Sequence, residues 1–192
     1  LSSYKFRRQR GELPWESLRV VYEEAVMEKL SSFSPTISVT AGYMLIAPLL
    51  CTKYKMVNLH PALPGGPIGT WQEVIWALIA QAAQESGVMV HTLTPEVDAG
   101  PVLAYSRYPI VGDELDWMWF RIRSRTIEEM KERESETLPL FKAIRALGLV
   151  RERPMLVETL KAIAGGQISP FNTAMDGPFD LTEQVEAAVK KI

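Results

Sequence analysis

The sequence predicts an α/β fold, with a parallel sheet and crossover helices in residues 1–110 and a helical extension over 111–192. Three observations carry this. Short β-branched or apolar runs alternate with amphipathic helical stretches as far as Tyr108, and strands separated by helices pair in parallel through right-handed crossovers. The ten residues His60 to Gly69 (HPALPGGPIG) hold three prolines and three glycines, so they break regular structure between a strand and a helix. From Val111 the pattern becomes charged amphipathic helix, with Ile168 the one candidate strand position.

Taken in order, Leu1 to Leu13 is polar and basic and reads as a loop. Pro14 suits a first helical position, and Leu18, Val21, Tyr22, Ala25, Val26 and Leu30 follow at helical spacing to about Ser31. After the Ser34-Pro35 turn, Thr36 to Ala41 (TISVTA) reads as a buried strand ending at Gly42. Pro48 opens a helical turn through Cys51, and Lys55 to Leu59 is a second strand. Thr70 with Glu73 three residues on forms a capping box before the apolar face Trp71, Val74, Ile75, Leu78, Ile79 and Ala82. Gly87 is expected to stop that helix. Val88 to Leu93 and Val102 to Tyr108 are strands flanking the loop Thr94 to Pro101. Helices follow over Glu114 to Arg133, from Thr137-Leu138-Pro139 to Gly148, from Pro154 to Gly165-Gly166, and after Asp180 and Glu183.

At 192 residues, one domain is the default, and a 47% apolar share can build a core. A net charge of −2 argues against a nucleic-acid surface, which needs clustered Lys and Arg. The basic cluster Lys5 to Arg10 reads as a solvated end rather than a phosphate contact. Cys51 has no partner for an internal disulfide and reads as an inert thiol. No Cys/His group has zinc spacing, so no metal is expected. No apolar run is long enough to span a bilayer, and no signal-peptide pattern is present; the expectation is a cytoplasmic protein.

In parallel sheets the ligand crevice lies beyond the C-terminal strand ends. Gly42, His60 and the Thr94 to Pro101 loop all follow strands, so they can converge. Asn58 and His60 are two apart in a strand and face one way. Together an amide and an imidazolium make a donor pair able to hold an oxyanion; alternatively they cap nearby turns. A carboxylate beside His60 would favour the charged ring, and Asp98, with Gly100 letting the backbone turn, is the candidate. Glu96 and Asp98 could do acid–base work or simply hold their loop to backbone amides. His91, inside a strand, reads first as a hydrogen-bonded structural residue. Gly65-Gly66-Pro67 fits no phosphate-loop pattern and reads as a tight connection only. Trp117 to Phe120 reads as core or subunit contact, which would suit a homodimer.

Four segments then combine: Ala41-Gly42-Tyr43-Met44, Asn58-Leu59-His60-Pro61-Ala62-Leu63-Pro64, Gly87-Val88-Met89-Val90-His91 and Asp98-Ala99-Gly100-Pro101-Val102. In this order and spacing, across roughly Thr36 to Pro109, the set resembles the folate-dependent formyltransferases, nearest the branch acting on glycinamide ribonucleotide in purine biosynthesis. The resemblance implies a Rossmann-like parallel-sheet fold lacking its first strand or strands, with a helical C-terminal extension. It implies formyl transfer from 10-formyltetrahydrofolate to a small amine, without metal. Asn58 and protonated His60 would hold the oxyanion, and Asp98 would keep the ring charged. Tyr43, Met44, Leu45 and Ile46, with Thr94, Pro95, Glu96 and Val97, would line the pterin pocket, supported by His91 and Gly100.

Several positions depart from that pattern. Leu45 stands where the family usually has Arg, Ala62-Leu63-Pro64 is one residue short of Ser-Leu-Leu-Pro, and no glycine-rich phosphate turn precedes Pro14. The alternatives are a folate-binding scaffold without catalysis, a formyltetrahydrofolate hydrolase, and a methionyl-tRNA formyltransferase.

Overall fold

The structure, a computed structural model, describes residues 3–9, 14–40 (15–17 by backbone alone), 48–96, 99–171 and 177–192. The described elements are α1 (Ser3–Gln9), α2 (Trp15–Lys29), β1 (Ser38–Thr40), α3 (Pro48–Lys53), β2 (Met56–His60), α4 (Trp71–Ala80), β3 (Glu85–Thr92), β4 (Val102–Pro109), α5 (Asp113–Ile122), α6 (Ile127–Arg133), α7 (Pro139–Ala164), β5 (Phe179–Asp180) and α8 (Thr182–Val189). A short 3₁₀ turn, Ser135–Thr137, precedes α7. The strands are hydrogen-bonded in the order β1-β2-β3-β4-β5. The chain divides into two compact units, Leu1–Val57 with Leu93–Gly100, and Asn58–Thr92 with Pro101–Ile192.

In the first unit, α2 buries Leu18 and Tyr22, and Phe6 of α1 meets the Tyr22 ring edge-on at 5.2 Å. The first segment therefore holds a short helix where its sequence reads as a loop, because Phe6 has an apolar face to dock on. Glu23 of α2 is fully buried, and its Oε2 accepts the N–H groups of Leu49 and Leu50 at 2.8 and 2.9 Å. A carboxylate thus caps α3, whose Pro48 needs no acceptor for itself. Ser38 N–H donates to the Lys55 carbonyl at 2.7 Å, and the Thr40 hydroxyl to that of Val57 at 3.1 Å.

In the second unit, α4 begins with the expected capping box: Thr70 Oγ1 accepts from Glu73 N–H, and the Glu73 carboxylate accepts from Thr70 N–H at 2.7 Å. Its buried face, Val74, Ile75, Leu78 and Ile79, packs into one core with Ile110, Met130, Leu138, Leu140, Phe141 and Ile144. Helices α5, α6 and α7 therefore share a core with α4.

Other features differ from the sequence reading. The sheet is mixed: β3 and β4 run antiparallel from Glu85↔Pro109 to His91↔Val102, while β4 and β5 are parallel. The connection from Leu93 to Pro101 is shorter than the roughly dozen residues that a parallel crossover needs. Gly87 does not end α4 but lies within β3, where a Cβ would stand 2.6 Å from the Ser106 carbonyl oxygen. The stretch from Glu114 to Arg133 splits into α5 and α6, because Thr126 and Glu129 make a second capping box. The two helices expected around Gly148 and Pro154 are one, α7. Gly148 serves close approach instead of termination, since a Cβ there would meet the Tyr108 hydroxyl at 2.9 Å. The late strand falls at Phe179–Asp180, and Ile168 is buried outside any strand.

Candidate active site

The site is built on the end of β2 and the end of β3. Asn58 is half-buried and His60 is 3% exposed. Both reach the same neighbour, His91 of β3, itself 2% exposed. Asn58 Nδ2 stands 3.4 Å from His91 Nε2. The rings of His60 and His91 meet edge-to-face, with centroids 6.4 Å apart at 79°. The one-sided placement of Asn58 and His60 expected from strand alternation is thus completed by a third side chain.

A β-bulge on the neighbouring strand lies opposite that third side chain. Val90 pairs with Ala104 but His91 pairs with Val102, leaving Leu103 as an extra residue on β4. Such bulges re-aim side chains at strand ends. The Thr92 N–H then donates to the Pro101 carbonyl at 3.0 Å, closing the ladder past the irregularity.

Each histidine is held by a backbone carbonyl. A carbonyl only accepts, so the ring nitrogen facing it carries the proton. His60 Nε2–H donates to the Pro67 carbonyl at 2.9 Å. His91 Nδ1–H donates to the Thr92 carbonyl at 2.9 Å. The turn that follows β2, which reads in sequence as a connection only, therefore supplies a site group. It is tight: Gly66 N–H donates to the Leu63 carbonyl at 2.9 Å, and Gly65 adopts φ +75°. No side-chain motif could have revealed this acceptor, because it belongs to the backbone of Pro67.

The remaining sequence-predicted positions divide in two. Thr94, Pro95 and Glu96 form a small turn in the first unit, where the Thr94 hydroxyl donates to the Glu96 carbonyl at 3.0 Å. Gly100 is buried in the same unit. Tyr43, Met44, Leu45, Ile46, Val97 and Asp98 lie outside the described residues.

Cys51 Sγ–H donates to the Pro48 carbonyl, and burial pushes its thiol pKa up, as suits an unreactive sulfur. Among the described residues no group of three His, Cys, Asp or Glu side chains could hold a metal ion. Among them, too, no helix is long and apolar enough to cross a membrane.

The described cluster is one amide and two imidazoles: the Asn58 amide and the His60 ring each lie against His91. Phosphoribosylglycinamide formyltransferase of Escherichia coli (strain K12) is 27% identical over 115 residues, which are 56% of this chain and 51% of that protein. Methionyl-tRNA formyltransferase of Thermus thermophilus is 34% identical over 124 residues, 61% of this chain and 40% of that protein. The chain spans about half the length of the first of these relatives and less of the second. Glycinamide ribonucleotide transformylase 1 from Symbiobacterium toebii, a solved structure, superposes with a TM-score of 0.52 at 18% identity, covering 85% of this chain and 64% of that one. That likeness shows the fold, a Rossmann-like mixed sheet with helices. Residues 8–130, which include Asn58, His60, His91 and Asp98, match the Formyl transferase family, and the chain therefore belongs to it.

Proposed function

We propose that the chain transfers a formyl group from 10-formyltetrahydrofolate to a small amine, with glycinamide ribonucleotide the leading acceptor. The observation that carries this reading is the convergence of Asn58 and His60 at the end of β2, beside His91. The amine lone pair attacks the formyl carbon and the carbonyl electrons move onto oxygen. The Asn58 amide and the His60 ring stabilise that oxygen as its charge grows. Collapse re-forms the carbonyl and breaks the bond to the folate nitrogen. The acceptor amine gives up one proton and the departing folate nitrogen takes one, so the proton count balances. Each donor of this kind contributes about 2.7–4 kcal/mol to the transition state. With Nε2–H of His60 committed to Pro67, Nδ1 is the ring nitrogen assigned to the oxygen. Asp98 is assigned to holding the charged ring, and Tyr43 to Ile46 and Thr94 to Val97 to the pterin.

The donor set fits an oxygen that becomes negative, as formyl transfer requires. The test is incubation with 10-formyltetrahydrofolate and a panel of amines, followed at the pterin chromophore. Turnover with glycinamide ribonucleotide, lost in His60→Ala while folate binding survives, is the expected result. Turnover persisting in His60→Ala removes the assigned role. The identity to the Thermus thermophilus protein supports one second reading, with methionyl-tRNA as acceptor, so that substrate belongs in the panel. Folate binding without turnover on any acceptor would instead identify a non-catalytic scaffold, and formate release without an amine a hydrolase.

A further inference from the structure

The two histidines of the site turn opposite ring nitrogens to backbone carbonyls, and the consequence falls on Asn58. In His60 the carbonyl of Pro67 takes the proton of Nε2. In His91 the carbonyl of Thr92 takes the proton of Nδ1. The opposite edge of the His91 ring, Nε2, faces the Asn58 amide nitrogen at 3.4 Å. An amide nitrogen donates and does not accept, so His91 Nε2 acts there as the acceptor.

An asparagine amide has two nearly isosteric orientations, with its oxygen and nitrogen exchanged. An acceptor on one flank admits only the orientation that turns the nitrogen toward it. We infer that His91 is a positioning residue: it acts through Asn58, holding the amide so that N–H and not C=O is presented beside His60. The chain of restraints runs from the Thr92 carbonyl, to the imidazole, to the amide. Each hydrogen bond in it joins buried or half-buried groups. The inference rests on the formyl-transfer reading for its kinetic consequence and on geometry alone for its tautomer.

Two measurements test it separately. Imidazole ¹⁵N NMR of the wild-type protein should show neutral His91 with its proton on Nδ1. A proton on Nε2 of neutral His91 overturns the inference, whatever the activity. In kinetics, His91→Phe should lower kcat by roughly ten- to a hundredfold, the scale on which orienting residues behind a reactive group act. KM should stay near its wild-type value, and His91→Gln, which restores an acceptor, should recover part of the rate. In an Asn58→Ala background, His91→Phe should change nothing further, because its route of action is gone. An equal loss in both backgrounds overturns the assignment. Absence of turnover in the wild type counts against formyl transfer, and the NMR tautomer then decides the role of His91 by itself.

Discussion

Leu63 lies against the bare α-carbon of Gly87, so close that a Cβ built there would stand 2.7 Å from the leucine Cγ. The same Cβ would stand 2.6 Å from the Ser106 carbonyl oxygen on β4. Leu63 in turn anchors the turn whose Pro67 carbonyl holds His60. The missing side chain on β3 thus leaves room for the residue that opens the turn carrying Pro67.

Gly87→Ala should destabilise the fold by about 1–3 kcal/mol, the cost of forcing one methyl into a filled interior. Because the methyl pushes on Leu63, the His60 ring should move with the turn. Urea unfolding measures the first effect. A change in the His60 ¹⁵N resonances, with those of His91 held, measures the second.

Asn58→Ala removes one of the two proposed donors and leaves the His60 contact to Pro67 in place. Formyl transfer should fall by about 10²–10³ in kcat with the melting temperature little changed. Steady-state kinetics beside a thermal melt checks this. Asn58→Asp should lose at least as much, because an acceptor then faces His91 Nε2 where a donor stood.

Glu23→Ala leaves the N–H groups of Leu49 and Leu50 without their acceptor. A buried donor left unmatched costs about 1–3 kcal/mol, and the methylene volume is lost as well. Glu23→Gln keeps an acceptor oxygen and should lose less. Denaturant midpoints of the two variants, read against the wild type, should rank in that order.

Glu73 makes acid sensitivity legible at an exposed cap. The Thr70 backbone N–H, and then its hydroxyl, hold the Glu73 carboxyl below its ordinary pKa. A folded-state value that is depressed means the unfolded chain binds the proton first. Stability from this group is therefore present above the ordinary carboxylate range and is lost as pH falls through the folded value. A Glu73→Gln variant should be less stable than wild type at neutral pH, with the gap closing in that acidic window. Melting temperatures of both proteins across pH 3 to 7, roughly the span in which a carboxylate titrates, supply the check.

Local signals in the chain are readable where one residue type does one job over a few positions. The Thr70/Glu73 box, the α4 face as far as Ile79 and the strand ends read at Leu59 and Leu93 follow from short-range chemistry, and they occur within a residue of where they are read. Asn58 and His60 are readable as a pair because strand alternation puts them on one side. Glycine is not readable in the same way, because it serves two purposes. Gly87 and Gly148 look like helix stops in sequence but are points of close approach, to Leu63 and Ser106 and to the Tyr108 hydroxyl. Nor can a capping box inside a long amphipathic stretch be weighed against helical continuity at Thr126.

The chain by itself determined its family, the placing of Asn58 and His60 at one strand end and most of its elements, since these rest on residue identity at fixed short spacing. Tertiary structure alone decided the antiparallel turn of β4, the bulge opposite His91, and the two carbonyls that hold the imidazoles. Each of those is a relation between backbone groups distant in sequence or out of register. Backbone N–H and C=O are the same in almost every residue, so no pattern of side chains can announce which of them will meet.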